Sequence, residues 1–136
     1  MRNYRCGFTI DGVIMAKILV VDDETSIRNM ITAVLKSRGH QTIEADNGVT
    51  ALDLIKTESP QLIISDVMMA NMNGFMLREV LQQDQLTARI PMILMTGLAS
   101  DAGAWESDPS VKYLSKPFKI AELMSLVNQK LESNVQ

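Results

Sequence analysis

From residue 17 onward the chain alternates short apolar runs with longer stretches in which apolar residues return every three or four positions. The first run, Lys17–Val21, reads Lys-Ile-Leu-Val-Val and stops at two acids, as a short buried strand does. Ile27, Met30, Ile31, Val34 and Leu35 then recur at i, i+3, i+4, i+7 and i+8, which places them on one face of a helix. Gly39 follows at the position of a helix-ending C′ residue. Gln41–Ala45 reads as an edge strand, with Thr42 and Glu44 alternating against Ile43. A helix over 49–57 closes at Pro60, since proline cannot continue it. The run 61–65 has no polar face, which assigns it to the sheet centre.

A loop rich in Met and Asn leads to Gly74, and Leu77, Val80 and Leu81 mark the next helix. Pro91 opens a fourth strand, Met92–Thr96. A weak helix is expected over 98–106, with Gly103 inside it and Pro109 beyond, and a fifth strand over 111–114. Ile120, Leu123, Met124, Val127 and Leu131 form the apolar face of a last helix. Strands alternating with helices through short connections predict an α/β fold, a parallel sheet wound with helices on both faces. No repeat or low-complexity tract interrupts the pattern, so residues 15–136 read as one domain. In residues 1–14 Thr9, Asp11 and Gly12 break what would be the apolar core of a signal peptide. That segment reads as an extension outside the fold, with Met15 as a second translation start.

Composition narrows the function classes. A chain of 136 residues, 46% apolar and 21% charged, suits one soluble domain. Its net charge of −3 argues against direct binding to nucleic acid, which needs a clustered basic face. No apolar run reaches the length of a membrane span. The single Cys6 allows no internal disulfide, which fits a cytoplasmic location.

The candidate chemistry lies at strand ends. Asp22 and Asp23 follow the first strand and Asp66 follows the third, so adjacent parallel strands would bring three carboxylates to one pocket. Left alone, the acids would raise one another's pKa. A hard divalent cation removes that conflict, and oxygen ligands with open positions suit Mg²⁺. Thr96 and Lys116 also fall at or just past strand carboxyl ends, where open α/β sheets bind ligands.

Asp22-Asp23, Asp66, Thr96 and Lys116-Pro117-Phe118, with Tyr113 three residues before the lysine and Gly74 eight after Asp66, together resemble the receiver domain of bacterial response regulators. The likeness runs from Ala16 to about Leu131. It implies a flavodoxin-like sheet of five parallel strands in order 2-1-3-4-5 with five helices. It further implies that Asp66 accepts a phosphoryl group from a histidine kinase or a histidine phosphotransfer protein. Asp22, Asp23, Asp66 and the backbone carbonyl of Met68 would hold Mg²⁺, with Asp22 acting largely through water. Lys116 and Thr96 would contact the phosphoryl oxygens, and Lys116–Pro117 would be cis. Tyr113 would turn inward as Thr96 moves, altering the face made by the fourth helix, fifth strand and fifth helix for a downstream protein target. The resemblance implies a monomer or a weak phosphorylation-dependent dimer.

Taken singly, these residues have plainer readings. Asp22 or Asp23 could cap a helix, though Thr25 or Ser26 can do that instead. Thr96 could be a strand-end hydroxyl, Lys116 a solvated surface charge and Tyr113 a half-buried sheet aromatic. His40 reads as a surface residue, Trp105 as packing on the fourth helix, and the methionines as flexible core filler. The chain departs from the family pattern at Ala70, Gly97 and Pro109-Ser110. Apolar Met68 and Leu98 flank the pocket, and neither aligns a water well, which predicts a long-lived phosphorylated state. The same site would serve a stand-alone switch, a relay intermediate or one receiver of a longer regulator or hybrid kinase. A flavin-binding protein is disfavoured by the acidic turn Asp-Asp-Glu-Thr-Ser. A phosphatase is disfavoured by the lack of Asp-x-Asp after the first strand, and a degenerate receiver used for dimerisation by the intact acids, threonine and lysine.

Overall fold

The computed structural model describes residues 8–10, 13–69, 72–97 and 110–135. Its main sheet contains β1 (Lys17–Val21), β2 (Gln41–Ala45), β3 (Leu62–Asp66), β4 (Met92–Thr96) and β5 (Val111–Ser115). All pair in parallel, in the order β2-β1-β3-β4-β5. Along each strand alternate side chains feed two separate cores. Ile18, Val20, Ile64, Ile93 and Met95 face α1 (Thr25–Ser37) and α5 (Ile120–Val135). Leu19, Val21, Ile63 and Leu94 face α2 (Gly48–Glu58) and α3 (Gly74–Gln82). β3 is buried along its whole length and β2 is the half-exposed edge.

Five helices lie among the described residues, but one differs from expectation. Gln85–Ala88 forms a single turn, α4, whose Leu86 N–H donates to Asp84 Oδ1 at 2.9 Å. The helix expected over 98–106, with Trp105 and Leu98, lies outside the described residues, as does Ala70. The third strand includes Asp66 rather than ending before it. Residues Phe8–Ile10 and Val13–Met15 pair as a separate antiparallel two-stranded sheet.

α1 ends in a Schellman motif. The His40 N–H donates to the Leu35 carbonyl and the Gly39 N–H to that of Lys36. Gly39 adopts φ +91°, which a side chain resists. This turn corrects the surface reading of His40. It swings the ring under β1, where His40 is only 6% exposed and its Nδ1 accepts the Ala16 N–H at 3.2 Å. Neither Thr25 nor Ser26 caps α1. Glu24 is the N-cap residue, without a side-chain cap bond.

Candidate functional site

The parallel pairing of β1 with β3, Val21 opposite Ser65, puts their carboxyl ends side by side. Asp22 is fully buried there and Asp66 is 5% exposed, while Asp23 faces solvent. One oxygen from each of the three acids lies within 4.8 Å of the others. Asp22 Oδ1 accepts the Glu24 N–H at 2.9 Å, but its buried Oδ2 has no hydrogen-bond partner. Lys116 approaches from the end of β5, its Nζ 3.3 Å from Asp66 Oδ1 and 3.7 Å from Asp22 Oδ2. The second distance is an ion-pair contact, too long for a hydrogen bond.

Burial sets the electrostatics of both inner acids. It pushes the Asp22 carboxyl above the ordinary aspartate range, against the pull of the Glu24 N–H, and Asp66 adds repulsion. Asp66 is likewise pushed up by burial, although Lys116 and the Met68 backbone N–H both favour its charged form. The pocket therefore holds more negative charge than one lysine offsets. Clustered hard oxygens, two of them on buried acids and one without a partner, fit a divalent cation.

The frame around the acids is local in origin. Asn73 caps α3 by accepting the Met76 N–H at 2.8 Å, and the Gly74 N–H donates to the Val67 carbonyl at 3.0 Å. A Cβ at Gly74 would lie 2.8 Å from the Asp66 carbonyl oxygen, so only glycine lets α3 start this close to β3. Thr96 is buried at the end of β4, and its carbonyl accepts the Lys116 N–H at 2.8 Å. Lys116–Pro117 is cis. Tyr113 is half-buried in β5, opposite Leu94. Met68 is 64% exposed beside the pocket. The methionines divide, with Met92, Met95 and Met124 in the core and Met30, Met68 and Met76 exposed.

One residue at this end had escaped notice in the sequence. Arg28 donates from Nη1 to the Asp22 backbone carbonyl at 2.7 Å and from Nε to Glu44 Oε1 at 3.0 Å. The available signal was a cation on α1 six positions after Asp22, with an acid near the end of the neighbouring strand.

A five-stranded parallel sheet in this order, with three acids, a threonine and a lysine at its carboxyl pole, defines an open α/β domain with an acidic site at the strand ends. Residues 18–128 match the model of the response regulator receiver domain, and the chain belongs to that family of two-component signalling domains. Protein PilH of Pseudomonas aeruginosa is 33% identical over 116 residues, which cover 84% of this chain and 96% of PilH. The DNA-binding response regulator MtrA of Mycobacterium tuberculosis is 32% identical over 126 residues, and the match spans only 51% of that protein. The chemotaxis response regulator CheY4 of Vibrio cholerae superposes with a TM-score of 0.78 at 29% identity, over 85% of this chain and 98% of that one. Among the described residues no helix is long and apolar enough to cross a membrane.

Proposed function

We propose that this chain is a Mg²⁺-dependent phosphorylation switch with Asp66 as the acceptor. The observation that carries the reading is Asp66 at a strand end, 3.3 Å from Lys116 and within one cluster with Asp22 and Asp23. A carboxylate oxygen of Asp66 attacks phosphorus on a phosphohistidine of a sensor kinase or phosphotransfer protein. The P–O bond forms as the P–N bond breaks, and the released imidazole recovers a proton from solvent. Lys116 steadies the phosphoryl oxygens as a compact cation. The Thr96 hydroxyl donates to another of those oxygens.

Asp22, Asp23, Asp66 and the Met68 carbonyl would hold Mg²⁺, which when bound supplies charge neutralisation to the acids and the phosphoryl oxygens. Movement of Thr96 toward phosphate opens space for half-buried Tyr113 to turn inward. That shifts the balance of two surface arrangements around β5 and α5 for a protein target in the cytoplasm. The protein acts as a stoichiometric switch rather than a turnover enzyme, and exposed, apolar Met68 favours slow hydrolysis of the acyl phosphate. Its match to half of MtrA supports the same chemistry within a longer regulator as a second reading.

Intact-mass measurement after incubation with acetyl phosphate tests acceptor and metal together. Wild type should gain about 80 Da only with Mg²⁺ present, and Asp66→Asn should gain nothing. Equal labelling of Asp66→Asn, or labelling indifferent to Mg²⁺, would sink the reading.

A further inference from the structure

Arg28 stands on the second turn of α1, outside the set of acids, threonine and lysine, yet it spans the turn that carries two of the acids. Its Nη1 donates to the Asp22 carbonyl at 2.7 Å, and its backbone N–H donates to the Glu24 carbonyl at 3.1 Å. Its Nε holds Glu44 of β2 at 3.0 Å, which ties the turn to the edge of the sheet. The Arg28 side chain is only 16% exposed, whereas its partner Glu44 is 38% exposed, so the pair reaches the surface through the carboxylate.

We propose that Arg28, anchored by Glu44, is a positioning residue that fixes the Asp22-Asp23 turn in the geometry a divalent cation needs. The inference rests on the acid cluster being a Mg²⁺ site. Buried like charges on Asp22 and Asp66 repel, and an unbraced turn would relax by carrying Asp22 and Asp23 away from β3. Arg28 opposes that motion by gripping a main-chain carbonyl. It therefore leaves the carboxylate oxygens of the cluster open, whereas Lys116 pairs with the Asp66 carboxylate directly. The planar fork suits this double attachment, and a lysine ammonium on a flexible stem does not reproduce it.

Three roles for Arg28 make different demands on Mg²⁺ affinity. A cation acting only through its charge would repel Mg²⁺, so its removal would tighten binding. A merely structural clip would lower stability and leave the affinity of folded protein unchanged. A positioning residue lowers affinity when lost, and outer-shell partners of metal ligands typically change it by about 10–100-fold.

Calorimetric titration of the full chain with MgCl₂ alone separates these, with circular dichroism confirming folded protein. Arg28→Met should raise the Mg²⁺ dissociation constant by roughly tenfold, with Arg28→Lys intermediate and Glu44→Gln weakened least, since its amide oxygen still accepts from Nε. Lys17→Met is the control, because it breaks the 3.1 Å Lys17–Glu58 pair at the opposite end of β1. It should lower the melting temperature without altering Mg²⁺ affinity. If Arg28→Met does not fold, weaker binding by both Arg28→Lys and Glu44→Gln carries the proposal. Unchanged or tighter binding in folded Arg28 variants overturns it, as does equal weakening in Lys17→Met. No Mg²⁺ binding by wild type overturns the proposed function as well, so the two failures remain distinct.

Discussion

Adding one methyl group at Gly74 probes how the end of β3 is held. A Cβ there would lie 2.8 Å from the Asp66 carbonyl oxygen, 2.9 Å from Leu94 Cδ2 and 3.1 Å from Val67 Cα. The leucine methyl can rotate aside, but the other two atoms belong to the backbone of Asp66 and Val67. Overpacking of this kind costs about 1–3 kcal/mol. Alanine recovers at most about 1 kcal/mol of helix propensity, and less at the first position of α3. The steric term wins, leaving a net loss of about 1–2 kcal/mol. At about 4 °C per kcal/mol for a domain of this size, Gly74→Ala should melt roughly 4–8 °C below wild type. Gly97→Ala supplies the contrast, since a Cβ at Gly97 meets nothing within 4 Å. It should stay within about 0.5 kcal/mol of wild type, as surface substitutions usually do. Thermal and urea unfolding of the three proteins at neutral pH decide the matter. A Gly74→Ala protein melting at or above wild type would refute the close-approach argument.

Three further outcomes follow from buried polar groups. Burial, with Arg38 nearby, lowers the His40 pKa below its ordinary 6.5, so its stabilising effect is complete above that pH and lost as pH falls toward the depressed folded value. His40→Gln should flatten the dependence of melting temperature on pH between about 5 and 7, and an unchanged slope would contradict this. Arg78 is fully buried and donates to the carbonyls of Ile90 at 3.0 Å and Ala88 at 3.1 Å. Arg78→Met should cost roughly 3 kcal/mol in urea unfolding, from two charged donors lost at about 1.5 kcal/mol or more each; a loss below about 1 kcal/mol would show the carbonyls find other donors. The Asp22 pKa is raised above 3.8, chiefly by burial, so its contribution is favourable below that value and is lost as pH rises through the folded pKa. Asp22→Asn should therefore melt above wild type at pH 7 in chelator yet gain little from Mg²⁺, and a lower melting point in chelator would sink that account.

What the sequence disclosed follows the range of the interactions involved. The apolar runs of β1, β3 and β4 are legible because a strand buried on both faces tolerates almost nothing else. Their abrupt ends at Asp22 and Asp66 make the acidic cluster legible in the sequence. Short or long-range features were not legible. α4 is one turn set by Asp84, too brief to show a helical period. His40 looked exposed because a Gly-His pair after a helix resembles a surface turn, while its partner Ala16 lies 24 residues away. Arg28 and Arg78 fall outside the apolar positions that mark their helices. Their long side chains instead fold inward to backbone carbonyls that only tertiary structure brings near. The N-cap of α1, Glu24, makes no side-chain cap bond, as expected of a residue outside the short polar set that caps well.

The two ends of the sheet carry opposite kinds of electrostatics. At the amino end the polar groups are matched: the Gln61 side chain accepts the Lys17 N–H at 2.6 Å, Lys17 Nζ meets Glu58 at 3.1 Å and His40 accepts from Ala16. At the carboxyl end two buried acids press on one another, and Asp22 Oδ2 is left without a hydrogen bond. Such a pocket is destabilising by itself, and each unpartnered buried group costs about 1–3 kcal/mol. The strands tolerate it because their midsections are wholly buried and parallel-paired on both sides of β3. A rigid centre thus fixes the strand ends from which the acids project, while the turn beyond β1 depends on its own bracing. The reactivity proposed for Asp66 and the instability at that pole have one physical source. A substitution that relieves the repulsion should therefore stabilise the fold while weakening the site.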